Sequence, residues 1–165
     1  MGEAMNNLPI LYRPPTEGDL SFIVSSWLKS QRNSDFSNFI SNQIYYRYNE
    51  HLIKKVIERS MISIICDPED PNHVYGYAVY EFLGDIFVLN FIYIKYTYRN
   101  MKLAYNLLKA ISPKFGEEEA FITFIDRTDV RVVTDKGKPD IRKSSFFIKN
   151  REKYKLNFNP FLLIR

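Results

Sequence analysis

Arg99, Lys102 and Ala104 stand in the stretch IYIKYTYRNMKLAYNLL, residues 92–108, where an alternation of aliphatic and aromatic side chains runs into a helical pattern with no glycine or proline between. A strand that turns straight into a helix presents unpaired amides and the positive end of the helix dipole, and that is a place to hold a phosphate. Such turns usually carry glycine so that the backbone can approach the ligand. Here Asn100, Met101 and Lys102 occupy the turn instead. The alternative is a plain connection, with Met101, Leu103, Leu107 and Leu108 facing a sheet as core.

Groups that could move a proton lie elsewhere in the chain. Glu81, near the end of a strand, and Asp126, at the end of another, are the best-placed carboxylates for a general base, and each also reads as a surface carboxylate. His51 and His73 fall in a helix and a loop and read as incidental. Two distant histidines and the single cysteine, Cys66, have no ligand spacing, so no metal site is expected. Neither a phosphate-binding G-x-x-x-x-G-K-[ST] loop nor a G-x-S-x-G elbow occurs.

The elements that must position these residues follow from periodicity and turn residues. Residues 8–12 read as a first strand stopped by Arg13-Pro14-Pro15. Thr16 followed by Asp19 is a variant capping box, and Leu20, Ile23, Val24, Trp27 and Leu28 predict a helix of about 13 residues. Residues 30–42 read as a loop or broken turn, and a second helix is expected from Asn49 on Leu52, Ile53, Val56 and Ile57. Residues 62–66 are a buried strand and 67–72 a turn. Residues 74–82 and 86–94 form a hairpin about Gly84-Asp85. The period changes to 3.6 from Met101 to Ile111, and Pro113 and Gly116 end that helix. Residues 120–125 are a strand and 126–140 a long loop or irregular hairpin. Residues 140–150 are a last helix, with a final strand within 154–164. The fold class is α/β (α+β): a mixed, mostly antiparallel sheet of six to seven strands flanked by helices, with a β-α-β crossover.

At 165 residues the chain is expected to form one domain over 1–165. It carries a formal net charge of +4, unevenly placed, since ten Lys/Arg and four Asp/Glu lie between Arg127 and Lys155. That basic stretch reads as a solvated loop and helix face, or as a surface for nucleic acid. No apolar run approaches the roughly 20 residues of a membrane helix, and MGEAMNNLPI has no secretory pattern, so the expected setting is reducing and cytoplasmic. Richness in Asn, Tyr, Lys and Ile points to an AT-biased gene, such as that of a phage or a low-GC bacterium.

The order of elements and the opening stretch together resemble the GNAT superfamily of acyl-CoA N-acyltransferases. That family reads L-Y-V-x-P-x-Y-R-G-x-G-I-G-x-x-L-L across its fourth strand and third helix. Tyr93-Ile94, Tyr98-Arg99, Ala104 and Leu107-Leu108 match in one register over 17 residues without a gap. The resemblance implies an N-acetyltransferase that takes acetyl-CoA as co-substrate and transfers the acetyl group to an amine by direct attack in a ternary complex. It implies a (Q/R)-x-x-G-x-(G/A) cradle for the pyrophosphate of coenzyme A, with Arg99 first, Ala104 last and amides from about Asn100 to Tyr105 as donors. It further implies that backbone groups of Ile92 and Ile94 pair with the pantetheine arm. Two departures stand out. Lys102 replaces the cradle's first glycine, and Phe147 falls where many members carry a proton-donating tyrosine, which leaves Tyr154 and Tyr105 as substitutes. Those departures keep open a non-catalytic GNAT-fold protein with a degenerate coenzyme A site, and the basic stretch from Arg127 to Lys155, with Phe146, Phe147 and Tyr154, keeps open a basic nucleic-acid-binding accessory protein. The implied partners are thus an acyl-CoA and an amine acceptor, with no membrane and with a monomer or homodimer as the assembly.

Overall fold

The computed structural model of the chain describes residues 8–32, 40–99, 101–124 and 150–165. Among these residues three helices and six strands follow one another as β1 (Leu11–Arg13), α1 (Glu17–Arg32), α2 (Asn42–Arg59), β2 (Met61–Cys66), β3 (Val74–Leu83), β4 (Ile86–Ile94), α3 (Leu103–Ile111), β5 (Ala120–Ile122) and β6 (Leu156–Phe158). The strands make one sheet in their sequence order, antiparallel from β1 to β4 and parallel from β4 through β5 to β6. This is the mixed, mostly antiparallel sheet with a β-α-β crossover expected from the sequence.

The α1 start is set by Asp19, whose carboxylate accepts from the Thr16 amide at 2.8 Å and from Arg13 Nη1 at 2.6 Å. The capping box is therefore only half of the usual one, since the Thr16 hydroxyl donates to Asp19 instead of accepting from a helix amide. The Arg13 guanidinium beside Asp19 holds its carboxyl below the ordinary 3.8. Burial of Ile23, Trp27 and Leu28 then gives α1 its inward face.

The second helix begins at Asn42, well before the Asn49 expected. Ser41 caps it by accepting from the Ile44 amide, and Tyr45 is buried with its hydroxyl on the Leu28 carbonyl at 2.7 Å. Serines and asparagines had masked a helical turn that tertiary burial of one tyrosine holds in place. The helix ends at Ser60, whose amide donates to the Ile57 carbonyl.

The hairpin of β3 and β4 lies as expected about Gly84, whose φ of 61° is left-handed. Strand β5 stops at Ile122, three residues short of its expected end, and β6 is confined to Leu156–Phe158 with a single 3-10 turn, Pro160–Leu162, after it. The expected last helix, Asp126 and the basic stretch up to residue 149 lie outside the described residues.

The core is aromatic. Trp27 stacks on Phe91 with ring centres 4.9 Å apart, and Phe22, Tyr77, Tyr93 and Phe124 extend the cluster over one face of β4. Tyr77 is fully buried, with its hydroxyl 2.7 Å from Ser26 Oγ and 3.1 Å from the Ile23 carbonyl it donates to; burial pushes its phenol well above the ordinary range, so it stays neutral. On the other face α3 buries Leu103, Leu107 and Leu108.

Candidate functional site

The site is built by a strand that outruns its partner. Strand β4 pairs with β5 in parallel only at Val88 and Leu89, while it stays paired with β3 up to Ile94. Thr123 closes the short zipper: its amide donates to the Leu89 carbonyl at 3.1 Å and its hydroxyl to the Asn90 carbonyl at 3.3 Å and Asn90 Oδ1 at 3.2 Å. Beyond Asn90 the β5-facing edge of β4 has no strand beside it among the described residues.

Asn90 is also where the ladder to β3 slips, since Val79 pairs with Phe91 and Tyr80 with Leu89. The extra residue is a bulge, and bulges bend a strand away from a neighbour. A buried network fixes it. Asn90 Nδ2 donates to Glu81 Oε2 at 2.7 Å and to Ser60 Oγ at 3.1 Å, while Arg165 Nη2 reaches Glu81 Oε1 at 2.6 Å and Arg59 Nε reaches Glu81 Oε2 at 3.4 Å. Arg59 also donates to the carbonyls of Leu162, Leu163 and Arg165, tying the last residues to the end of α2.

Alternation along β4 decides which backbone groups face the open edge. The Lys95 amide donates to the Tyr75 carbonyl on the β3 side, so Ile94 and, two residues back, Ile92 turn their amides and carbonyls to the other side. These are the two residues expected to pair with an extended arm. At Ile94 the carbonyl is already engaged: Arg99 Nε donates to it at 2.8 Å, with the guanidinium 5.8 Å from the Tyr93 and Tyr96 ring centres.

Gly76 makes that close approach of β3 to β4 feasible. A Cβ built there would sit 2.2 Å from the Tyr93 carbonyl oxygen, closer than any side chain permits, and a tight 3.0 Å from Ile94 Cα.

Between β4 and α3 the chain makes one 3-10 turn, Tyr96–Tyr98, and then a turn whose last residue is Lys102. Lys102 has φ 59° and ψ 19°, the left-handed conformation that glycine adopts freely and L-residues reach at a cost. Sequence reasoning treated this position as helical; it lies one residue before the helix, which starts at Leu103 and not at Met101. A glycine would hold this backbone without strain, and the lysine adopts it with its side chain exposed. Its carbonyl accepts from the Asn106 amide at 3.0 Å, so the first α3 amides, from Leu103 through Tyr105, point out of the helix start. Met101 is half-buried against the core, as is Ala104, and Asn100 lies outside the described residues.

His73, read as incidental, buttresses this crossover. Its Nε2 lies 2.6 Å from Tyr98 Oη, and both rings pack on Tyr75, whose own hydroxyl donates to the Pro9 carbonyl. A second signal lay unread in the sequence: between Asp85 and Glu117 there are five Lys/Arg and no Asp or Glu. Lys109 and Lys114 pair with Glu117 and Glu118, whereas Lys95, Arg99 and Lys102 have no carboxylate partner among the described residues. The crossover thus carries an uncompensated positive field.

The proton-transfer candidates are dispersed. Glu81 is 7% exposed and its two oxygens accept from Asn90, Arg59 and Arg165, so it braces the bulge instead of facing solvent. Tyr154 and Tyr105 are brought together, stacked at 5.3 Å, with Phe115 5.2 Å from Tyr154. No cluster of metal-binding side chains occurs among the described residues, and no helix among them is long and apolar enough to cross a membrane.

No family model and no curated protein matches the chain. Among solved structures it is similar to the crystal structure of an acetyltransferase of the GNAT family from Staphylococcus aureus Mu50, at 13% identity and a TM-score of 0.42, with 62% of each chain covered. The chain therefore matches less than two thirds of that protein's length.

Proposed function

We propose that the chain is an acyl-CoA-dependent N-acyltransferase, taking acetyl-CoA as co-substrate and an amine as acceptor. The observation that carries the reading is the edge of β4 beyond the Asn90 bulge, which has no strand beside it among the described residues and leads to the first-turn amides of α3 and to Arg99 and Lys102, cations with no carboxylate partner among the described residues. An extended, amide-bearing arm ending in a diphosphate has the chemistry to use all of it: strand-like pairing along Ile92 and Ile94, then phosphates at Arg99, Lys102 and the amides from Met101 to Tyr105.

In this reading the thioester lies towards Asn90 and Thr123, where the two strands part. The acceptor nitrogen attacks the thioester carbonyl, the C–N bond forms and the C–S bond breaks; the amine's proton passes to a base and a proton is supplied to the leaving thiolate. Asp126 is the proposed base. Glu81 is proposed to act on the site through Asn90, because its oxygens are already occupied by donors. Tyr154 is proposed as the acid, with Tyr105 stacked on it.

Calorimetric titration with acetyl-CoA and coenzyme A tests the reading. Saturable binding is expected, lost on Ala104→Glu, which places a carboxylate at the helix start; a folded wild type that binds neither ligand overturns the proposal. One observation favours a second reading, a protein of this fold whose site is closed: the Ile94 carbonyl is taken by Arg99. A folded wild type that binds neither acetyl-CoA nor coenzyme A would support that reading.

A further inference from the structure

The geometry points to Arg99 as a specificity-determining residue that restricts the site to thioesters whose carrier bears a diphosphate. The inference rests on the proposed acyl-CoA reading and concerns the choice of carrier.

An extended arm laid along the open edge of β4 needs the Ile94 carbonyl as an acceptor, since Ile92 and Ile94 are the residues whose backbone faces that edge. Arg99 Nε already donates to this oxygen at 2.8 Å, reaching back five residues, and its guanidinium rests against Tyr93 and Tyr96. Because that oxygen faces the edge, the Arg99 side chain bonded to it lies on the edge too, and the arm and the arginine compete for the same approach to the carbonyl. A bond from a charged donor is worth about tenfold or more in an equilibrium, so an arm with nothing to offer the guanidinium pays that factor on binding.

A ligand that carries a diphosphate returns the loss. The guanidinium has no carboxylate partner among the described residues and lies between the end of β4 and the start of α3, within the stretch that also holds Lys95 and Lys102. Fork pairing with a phosphate is the stronger bond for arginine, so the anion draws Arg99 off Ile94 and opens the carbonyl to the arm. Arg99 is a latch released by the diphosphate, and a carrier lacking it meets the latch closed.

The test compares coenzyme A, pantetheine and adenosine 3′,5′-bisphosphate on the full chain, by calorimetry and, for weak binding, ligand-observed NMR. Two variants are used: Arg99→Ala, and Arg99→Met, which keeps the packing on Tyr93 and Tyr96 but donates nothing. Both are expected to weaken coenzyme A by about tenfold or more and to strengthen pantetheine by about tenfold, a reversal that loss of a simple phosphate contact does not produce. Pantetheine affinity unchanged or lowered in both variants overturns the latch while the acyl-CoA reading stands. Wild type binding neither coenzyme A nor the bisphosphate overturns both.

Discussion

Lys102 shows how one residue can hide a turn from sequence reasoning. Its identity argued against a glycine-dependent cradle, yet its backbone, at φ 59°, has the conformation for which glycine is selected. The chain bears that cost because α3 is anchored by Leu103, Leu107 and Leu108, all buried, which over-determine where the turn must go. Lys102→Gly is expected to raise stability by about 0.5–1 kcal/mol, the relief of left-handed strain less the added freedom of the unfolded chain. Urea denaturation reads it as a higher midpoint at unchanged slope. A fall in stability would mean that the exposed lysine makes a contact worth more than the strain. Arg99 is legible in sequence as a candidate anion ligand, but its bond to Ile94 is not, because only the folded turn brings its Nε within 2.8 Å of a carbonyl five residues earlier.

At the scale of elements, the site is a mismatch of lengths. Strand β4 spans Ile86–Ile94 and β5 only Ala120–Ile122, so a parallel pair that holds at Leu89 has nothing to continue it among the described residues. The strands β2, β3 and β4 and the helix α3 were readable from alternation and turn residues within a residue or two. The bulge at Asn90 was not, since no local pattern marks an asparagine whose bonds go to Glu81, Ser60 and Thr123, 9, 30 and 33 residues away. The start of α2 was missed for the same kind of reason, a tyrosine buried on a carbonyl of another helix. Gly76 sits at the junction of these elements. Gly76→Ala puts a Cβ against the Tyr93 carbonyl, and the loss is expected to be about 1–3 kcal/mol, with faster amide exchange at Tyr93 and Lys95, whose bonds to β3 must stretch. Exchange at those amides as slow as in wild type would place the strain elsewhere.

For the molecule as a whole, charge is arranged by strand order. The crossover from Ile86 to Gly116 carries five cations and no carboxylate; Glu117 and Glu118 take Lys109 and Lys114, Arg99 and Lys102 precede the start of α3, and Lys95 lies over the Phe22 ring, 5.2 Å from its centre. Coenzyme A affinity is therefore expected to fall as salt rises from about 0.05 to 0.5 M, as added ions screen these charges. Lys95→Gln with Lys102→Gln should flatten that dependence, measured by titration at each salt concentration, and a dependence as steep in the double variant would remove these lysines from the site. The sequence by itself determined the elements and their order: periods of 2 and 3.6, prolines and glycines act within a few residues of chain, and they are present before any folding. It also marked the turn after β4 as a candidate place for an anion. Only the tertiary structure decided that β4 parts from β5 at Asn90, that Glu81 braces that point with Arg59 and Arg165, and that Arg99 lies on Ile94. Those are pairings between residues brought together by the sheet, and the chain has no local pattern that encodes them.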